Sequence, residues 1–406
     1  MSDPIRCAYV IPKKGRKCRM LVRTGQQYCG EHAVFAEDNQ DRIQCPIDPK
    51  HTVDRKSLEQ HLLRCNSRVV EAEYIKKDAN ALVGETKFTD KIDRRATEEE
   101  IFAALEKMKS CYVAVKDKLL SKQDHCQEVD AFLEQATTLS ESKRKHLIQL
   151  SSIIGRLESA KLLRSDPSAC ILELGAGKAQ LAYWMTKRAP LAKFLLIDRS
   201  GSRNKYDNRA LKEDPSLDIT RLRCSIEHVD LSELAMLKDV SSVCAVCKHF
   251  CGSATDAGIR CLSNGMENGL VLDGFVLVPC CHHKSRYSEY SGRDFLSKWN
   301  MDSESDFAAL RHIATWAVCG FSKMQNEDCS PETSVENDKP STEAVPWSPL
   351  WKEEMGRRGK LILEFGRAFY LSSLGFRTQV VEYVPPTVSP ENLLILGLRR
   401  NDVEED

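Results

Sequence analysis

The sequence lacks a net charge, because 59 Lys and Arg side chains balance 59 Asp and Glu side chains over 406 residues. It lacks any uninterrupted apolar run of the roughly 18 residues that cross a bilayer, and its first residues lack the apolar core of a signal peptide. These absences argue against a secreted or membrane protein and against attraction of polyanions by bulk charge. We therefore expect an intracellular protein, in the nucleus, the cytoplasm or both.

Cysteine, by contrast, is abundant, with 17 copies. In a reducing compartment such residues are thiols or metal ligands rather than disulfides. The first 65 positions contain two compact quartets of zinc-ligand residues: Cys7, Cys18, Cys29 and His32, then Cys45, His51, His61 and Cys65. Large apolar residues are too few in these segments to form a core without metal. We therefore predict two structural zinc sites, in a CCCH-type finger at 1–35 and a CHHC-type finger at 42–68.

The N-terminal segment is also locally basic. Residues 1–32 carry seven Lys and Arg side chains against two acids. A basic end of this kind suits a phosphate backbone, so the segment is a candidate nucleic-acid contact even though the whole chain is neutral.

A glycine-bearing turn follows the apolar stretch that begins at Ile171. Gly175 and Gly177 form the bend, and Asp198 ends the next apolar stretch 21 positions after Gly177. In a doubly wound sheet such a turn lets the backbone approach a cofactor, while the acid on the second strand accepts hydrogen bonds from a ribose. A nicotinamide dinucleotide and S-adenosylmethionine (SAM) both fit this pattern, and an ordinary turn that contains glycines is the plain alternative.

Two details favour SAM. Gln180 stands where a dinucleotide fingerprint needs a small third residue, and Glu173 supplies a carboxylate where the methionyl ammonium of SAM would lie. The predicted cofactor-binding residues are Glu173, Gly175, Gly177, Asp198 and Asp230.

The C-terminal part alternates between strands and helices, and its near-continuous apolar strands indicate burial on both faces of a parallel sheet. The predicted strands are Cys170–Leu174, Phe194–Asp198, about Arg221–Ile226, Ser242–Cys247, Gly274–Val278, Arg377–Tyr383 and Asn392–Leu398. The final pair indicates the reversed hairpin at the edge of methyltransferase sheets. We therefore predict an α/β, Rossmann-like class I SAM-dependent methyltransferase domain at 167–402, with a disordered insertion at about 326–342, which is rich in Ser, Pro, Glu and Asn.

Helices are predicted between the fingers and this domain, at 69–166. Thr97 and Glu100 form a capping box, and apolar residues then recur every three or four positions over 101–119. A second helical run spans about 142–163. The row of apolar residues over 101–119 is short for a coiled coil between molecules, so we expect these helices to pack on the chain's own catalytic domain. They would also connect that domain to the fingers.

Reactive side chains cluster at the carboxyl ends of the fourth and fifth predicted strands, where ligands bind in such sheets. The residues expected to meet there are Cys247, Lys248, His249, Cys251, Asp256, Cys280, Cys281, His282 and His283. The thiols and imidazoles form either the packed floor of an active site or a third metal site, and residue order does not separate the two.

Methyl transfer needs an aligned acceptor and removal of a poorly acidic proton, because the sulfonium already activates the methyl group. A lysine held neutral by burial, or a cationic lysine that lowers the pKa of a hydroxyl, can act on a ribose 2′-hydroxyl. The predicted catalytic residues are Lys248, Asp256 and His249. Asp256 or one of His249, His282 and His283 would orient Lys248, for which a surface ammonium is the plain alternative.

These motifs together resemble a known family. The two zinc quartets in this order, the turn at Leu172–Gly177, and the stretches Ile197–Asp207, Cys247–Gly252 and Pro279–His283 are similar to eukaryotic tRNA 2′-O-methyltransferases that modify nucleotide four of the acceptor stem. The resemblance extends over positions 6 to about 399, and both zinc quartets are intact.

The resemblance implies SAM as donor, the 2′-hydroxyl of a cytidine or adenosine in particular tRNAs as acceptor, and zinc in both fingers. It further implies that a set of polar residues after the second strand belongs to the functional face: Asp198, Arg199, Arg203, Lys205 and Asp207. Arg203 and Lys205 either bind phosphate or form a solvated helix start.

Two other classes of function remain open. One is another zinc-finger RNA or protein methyltransferase, and the other is a non-catalytic RNA-binding scaffold. For the enzyme we expect a monomer that binds the acceptor stem of tRNA and contacts neither DNA nor a membrane.

Overall fold

The computed structural model describes residues 5–12, 15–37, 39, 41–49, 51–65, 68, 71–82, 95–199, 205–317 and 347–400. The chain forms two compact units, with the boundary between Ala72 and Glu73. The insertion predicted at about 326–342 and the phosphate contact predicted for Arg203 lie outside the described residues. Among the described helices, none combines the length and the apolar character that crossing a bilayer requires.

The N-terminal unit contains two short hairpins and one short helix. Its elements are β1 (Val10–Ile11), β2 (Arg16–Lys17), β3 (Arg42–Gln44), β4 (Thr52–Asp54) and α1 (Leu58–Arg64). β1 pairs with β2 and β3 with β4, both antiparallel. The buried residues beside the first hairpin are Cys7, Cys18 and Cys29, packed against three partly buried side chains. An apolar core this small does not stabilise a fold without metal.

The two predicted fingers pack on each other within this unit. The hydroxyl of Thr52 on β4 lies 3.1 Å from the carbonyl oxygen of Glu31, and its backbone N–H donates to the Glu31 carboxylate at 3.2 Å. Arg42 on β3 also donates to the Thr52 carbonyl at 2.8 Å. The bonds between Thr52 and Glu31 join the second hairpin to the end of the first finger, whereas the Arg42 bond lies within the second hairpin.

One sheet organises the C-terminal unit. Its strands are β5 (Leu120–Ser121), β6 (Ala169–Leu174), β7 (Lys193–Ile197), β8 (Asp218–Leu222), β9 (Ser242–Cys251), β10 (Leu272–Cys280), β11 (Phe376–Glu382) and β12 (Leu393–Arg399). They are ordered β5-β11-β12-β10-β9-β6-β7-β8. β12 runs antiparallel to β10 and β11, whereas the other pairs are parallel. This order, with one reversed strand, is that of class I SAM-dependent methyltransferases and confirms the predicted fold class.

Helices cover both faces of the sheet. They are α2 (Glu98–Lys116), α3 (Gln127–Gln135), α4 (Glu141–Ser159), α5 (Gln180–Arg188), α6 (Tyr206–Glu213), α7 (Ala235–Lys238), α8 (Ser253–Glu267), α9 (Arg293–Ser297), α10 (Glu304–Ala314) and α11 (Pro349–Ser373). Alternate residues of β6 point to opposite faces, so that Leu172 and Leu174 join the core formed with α2, α8, α10 and α11, while Ile171 joins the core formed with α3, α4 and α5.

The helices predicted as a connector are part of the catalytic unit. The capping box of Thr97 and Glu100 is present at the start of α2. Buried residues of α2, such as Leu105 and Met108, belong to the same core as the sheet, and β5 pairs with β11. The expected packing on the catalytic domain is therefore confirmed, but 69–166 is not a separate domain, because the C-terminal unit begins at Glu73.

The third predicted strand differs from the observed one. β8 spans Asp218–Leu222, whereas the sequence predicted about Arg221–Ile226. Cys224 and Ile226 are buried as predicted, but they lie after the strand, where a short 3-10 turn packs near α8. Their apolar character therefore reflects burial in a loop and not strand pairing.

Candidate functional site

The glycine turn lies between β6 and α5, at the carboxyl edge of the sheet. Gly175 and Gly177 have φ of 67° and 50°, in the left-handed region that favours glycine. A Cβ atom on Gly175 would lie 2.8 Å from the ring of Phe250, so the turn also needs a residue without a side chain. A Cβ atom on Gly177 would meet nothing closer than 4.0 Å. This open space above the turn fits the approach of a cofactor.

Asp198 follows β7 and contacts the turn directly. The backbone N–H of Gly177 donates to Oδ2 of Asp198 at 2.8 Å, and the side chain is partly exposed. On the other side, the guanidinium of Arg221 donates to the carbonyl of Gly177 at 3.2 Å and pairs with Asp207 at 2.6 Å. The residues predicted to hold the ribose and the turn are therefore brought together, and Asp207 fixes the turn through Arg221.

Glu173 lies beneath the turn and is 3% exposed. Its Oε2 accepts the N–H of Ala182 at 3.1 Å, in the first turn of α5, where N–H groups lack partners within the helix. Burial raises the pKa of Glu173 to about 8. A cation bound nearby would favour the ionised form, so its contact with the methionyl ammonium stays a prediction.

Asp230 makes structural contacts, and its predicted contact with the cofactor stays a prediction. Its Oδ1 accepts the N–H of Ser232 at 3.0 Å, and its Oδ2 pairs with Lys76 at 2.6 Å. The carboxylate therefore attaches the segment at 73–82 to the connection between β8 and β9.

Lys248 lies near the end of β9 and is 9% exposed. Its Nζ donates to Nδ1 of His146 on α4 at 2.8 Å. Burial lowers the pKa of Lys248 to about 7, and burial together with the Lys248 charge lowers the pKa of His146 to about 4. At neutral pH this pair contains a neutral imidazole and a lysine that readily releases its proton.

His249 and Asp256 do not orient Lys248 as predicted. His249 has a φ of 59°, and burial together with the Lys248 charge lowers the pKa of its imidazole to about 4, but Nζ of Lys248 donates to His146 instead. Asp256 is fully buried in α8, where Nε and Nη2 of Arg367 donate to its two oxygens at 3.1 and 2.9 Å. A carboxylate matched to a buried guanidinium in this way stabilises the fold, and the catalytic role of Asp256 stays a prediction.

His282 continues the same buried network. Its ring lies 2.6 Å from Glu364 and 3.4 Å from Glu391, and Arg367 pairs with Glu364 at 2.7 Å. Burial alone would lower the pKa of His282, but the two carboxylates raise it above the usual value. His282 is therefore a buried cation of the core rather than a partner of Lys248.

His146 is the residue that sequence reasoning missed. It lies on α4, which was predicted only as a connecting helix. His146 precedes the buried Leu150, Ile153 and Leu157 by four, seven and eleven positions. These intervals place it on the buried face of the helix, so helical periodicity could have marked it as a polar residue directed at the core.

A basic surface lies beside the glycine turn. Its residues are Lys178, Lys205, Arg209 and Lys212, which line one surface depression with Tyr206 and Asn208. Arg209 pairs with Glu213 at 2.7 Å, whereas Lys178 and Lys212 are exposed. Lys205, which the sequence analysis assigned to the functional face, therefore lies on a positively charged surface next to the turn.

Both zinc quartets converge as predicted. In the first, Nδ1 of His32 lies 3.5 Å from Sγ of Cys7 and 3.4 Å from Sγ of Cys29. In the second, the sulfurs of Cys45 and Cys65 are 3.7 Å apart and the Nε2 atoms of His51 and His61 are 3.2 Å apart. Ligands at normal zinc bond lengths around a tetrahedral ion are separated by roughly 3.3–3.8 Å. All four residues of each quartet, including Cys18, therefore fit one zinc ion.

Comparison with known proteins identifies the family. Residues 148–398 match the model described as Methyltransferase TRM13, residues 5–33 match the CCCH zinc finger in TRM13 protein, and residues 42–66 match the U11-48K-like CHHC zinc finger. The chain is 29% identical to the tRNA:m(4)X modification enzyme TRM13 homolog of Homo sapiens, over 97% of this chain and 94% of that protein. It is 30% identical to the tRNA:m(4)X modification enzyme TRM13 of Schizosaccharomyces pombe, over 90% of this chain and 98% of that protein.

Similar solved structures include the plantazolicin methyltransferase BpumL in complex with SAH, at 12% identity, a TM-score of 0.30, and coverage of 75% of this chain and 99% of that one. The pyocyanin biosynthetic protein PhzM is 14% identical with a TM-score of 0.28, over 74% of this chain and 70% of that one. These likenesses are too distant to add to what the strand order shows. The TRM13 methyltransferase model alone spans more than half of the sequence, and the chain therefore belongs to the TRM13 methyltransferase family.

Proposed function

We propose that this protein transfers the methyl group of SAM to the ribose 2′-hydroxyl of nucleotide four in the acceptor stem of particular tRNAs. The relatives in Homo sapiens and Schizosaccharomyces pombe are named tRNA:m(4)X modification enzymes, which supports tRNA as substrate. The observation that carries the choice of a hydroxyl acceptor is the buried Lys248, 2.8 Å from His146.

The donor would bind at the glycine turn. When bound, SAM supplies a methyl group activated by a sulfonium. Gly177 leaves the backbone open to a ligand, and the partly exposed carboxylate of Asp198 can accept hydrogen bonds from the donor's ribose. Glu173 beneath the turn would favour a bound ammonium, because a nearby cation stabilises its ionised form.

Lys248 would take the proton of the acceptor hydroxyl. As the ribose oxygen formed its bond to the methyl carbon, the carbon–sulfur bond of the donor would break and the hydroxyl proton would pass to Nζ of Lys248. A pKa of about 7 leaves a large share of Lys248 neutral at physiological pH, whereas an ordinary lysine would be almost fully protonated. Nδ1 of His146 accepts a hydrogen bond from Nζ and holds the amine in position. His146 is therefore a positioning residue, and Lys248 is the general base.

Two basic surfaces would bind the RNA backbone. One is the surface of Lys178, Lys205, Arg209 and Lys212 beside the turn. The other is the first finger, in which Arg6, Lys17, Arg19 and Arg23 are exposed. Recognition by backbone and shape suits an acceptor stem, because the major groove of A-form RNA is too deep and narrow for side chains to read.

The test is to incubate the purified full-length chain with labelled SAM and a mixed tRNA pool and to map the labelled nucleotide. Mass spectrometry after nuclease digestion should place the methyl group on the ribose of nucleotide four, and alkaline hydrolysis should leave the bond after that nucleotide uncut, because cleavage needs a free 2′-hydroxyl. A methylated base, or a ribose mark elsewhere in the tRNA, would contradict the proposal. The same reaction without tRNA is the control.

A further inference from the structure

Three cysteine thiols converge outside both zinc fingers, at the carboxyl edge of the sheet. Cys251 ends β9, Cys280 ends β10, and Cys281 follows directly. Their sulfur atoms all lie within 4.8 Å of one another, and those of Cys251 and Cys280 are 3.2 Å apart. Cys251 and Cys280 are also direct partners in the parallel register of the two strands.

The backbone at these strand ends is bent into uncommon conformations. Cys281 has a φ of 51° and Gly252 a φ of 55°, both in the left-handed region. A non-glycine residue in that region costs about 1 kcal/mol or more of conformational free energy, so other contacts of the fold must stabilise the conformation of Cys281. A Cβ atom on Gly252 would lie 2.6 Å from Lys284, which shows how closely the two strand ends approach. The strand register places Cys251 beside Cys280, and the left-handed conformation is at Cys281, directly after Cys280.

Packing alone does not account for this cluster. Other cysteines of the same strand, Cys244 and Cys247, are 3% and 0% exposed and fill the core as small apolar side chains. Cys251 and Cys281 are instead partly exposed, while Cys280 is 4% exposed beneath them. The three sulfurs at the edge of the core are close enough to one another to be ligands of a single metal ion.

We infer that Cys251, Cys280 and Cys281 bind a third zinc ion, with its fourth coordination position open to solvent or substrate. Thiolates are strong zinc ligands, and sulfur atoms around a tetrahedral zinc ion are about 3.8 Å apart. The sulfurs of Cys251 and Cys280 are somewhat closer, at 3.2 Å, and all three sulfurs lie within 4.8 Å of one another. Both fingers fill all four positions with protein, whereas three protein ligands and one open position are the pattern of reactive zinc sites. Lys248 lies three residues before Cys251, so this ion would sit close to the proposed site of methyl transfer.

Zinc content of the purified full-length chain tests the inference without any measurement of activity. After extensive dialysis against metal-free buffer, the wild type should contain three zinc ions per chain, two of them in the fingers. Cys280→Ser and Cys251→Ser should each contain two. The matched control Cys247→Ala, which removes a buried thiol of the same strand, should retain three. Two zinc ions in the wild type, or three in both serine variants, would overturn the inference.

Two further measurements distinguish a bound zinc ion from a disulfide and from a variant that fails to fold. Anomalous scattering at the zinc edge from crystals of the full wild-type chain should give a third peak at the Cys251 and Cys280 sulfurs, and its absence beside the two finger peaks would count against the site. Thiol titration in denaturant with chelator and no reductant should detect all 17 cysteines. A count of two fewer thiols, with a disulfide mapped between Cys251 and Cys280, would overturn the inference, because the two residues would then be oxidised rather than bound to zinc.

Discussion

Nζ of Lys248 lies 2.8 Å from Nδ1 of His146, although 102 positions separate the two residues. β9 carries the lysine to the carboxyl edge of the sheet, and α4 carries the histidine to the same place. The pair combines an amine of lowered pKa with a neutral acceptor of its hydrogen bond. The proposed general base depends on this geometry, which does not involve the carboxylate of Asp256.

Lys248→Met should lower kcat by about 10²–10⁴-fold, the usual effect of losing a general base, while SAM affinity changes by less than about twofold. Methionine keeps most of the apolar volume, so the fold should persist. The measurement combines single-turnover methylation of tRNA with equilibrium dialysis of SAM. Lys238→Met, at an exposed position, is the matched control. Wild-type kcat in Lys248→Met would exclude this residue as the base.

The pH dependence of kcat should follow the protonation of Lys248. Because burial lowers its pKa to about 7, the rate should rise about tenfold per pH unit below pH 7 and level off above it, as the neutral amine becomes predominant. The titratable groups around it are His146, His249, Glu173 and Cys280. A rate that falls over this range would show that the protonated lysine is the active form.

His146→Ala should move the midpoint of that profile upward and lower kcat at pH 7 by roughly tenfold, because water that enters in place of the ring favours the charged lysine. His146→Gln keeps a hydrogen-bond acceptor and should recover part of the rate. SAM affinity should stay unchanged in both variants. If kcat falls equally in His146→Ala and His146→Gln and the midpoint of the pH profile does not move, His146 has only a structural role.

Asp198→Ala should weaken SAM binding by roughly 10–100-fold, since hydrogen bonds to a charged group contribute about 1.5–3 kcal/mol and the N–H of Gly177 also loses its acceptor. Isothermal titration calorimetry gives the affinity. Asp218→Ala, at the exposed start of β8, removes a carboxylate from the neighbouring strand as a control. Equal SAM affinity in the two variants would exclude Asp198 from the donor site.

Asp256→Ala should lower the free energy of unfolding by about 3–5 kcal/mol, because it leaves the buried Arg367 without its carboxylate partner. Urea denaturation followed by circular dichroism measures the change, with the exposed Asp239→Ala as a control. The folded fraction should keep near-normal kcat. A stable but inactive Asp256→Ala protein would support the catalytic role predicted for Asp256 from the sequence.

Removal of positive charge from the first finger should weaken the binding of tRNA and leave the affinity for SAM unchanged. Lys17→Ala combined with Arg19→Ala should reduce the slope of log affinity against log salt concentration by roughly one for each phosphate that these side chains neutralise in the wild type. The control is the double variant Lys116→Ala with Lys118→Ala, which removes two exposed lysines outside the first finger. An identical salt dependence in both double variants would show that these finger residues do not bind RNA.

The sequence alone determined the features that depend on neighbouring positions. Zinc-ligand spacing marked both fingers, because a tetrahedral ion needs its ligands within a short, turn-rich segment. Apolar runs predicted most of the sheet strands, because a parallel strand buried on both faces needs an almost continuous apolar sequence. Gly175, Gly177 and Asp198 predicted the turn between β6 and α5. The third strand was misplaced because burial in a loop gives the same apolar pattern as burial in a strand.

Tertiary structure alone decided which distant charges meet. Asp256 and Lys248 are close in sequence, yet Asp256 turns into the core to pair with Arg367, 111 positions away, while Lys248 pairs with His146. Helix and strand periodicity show which side chains are buried but not which partner the fold brings opposite them. A buried charge must be matched wherever the chain places its partner, and that choice is made by the packing of α4, α8 and α11 on the sheet.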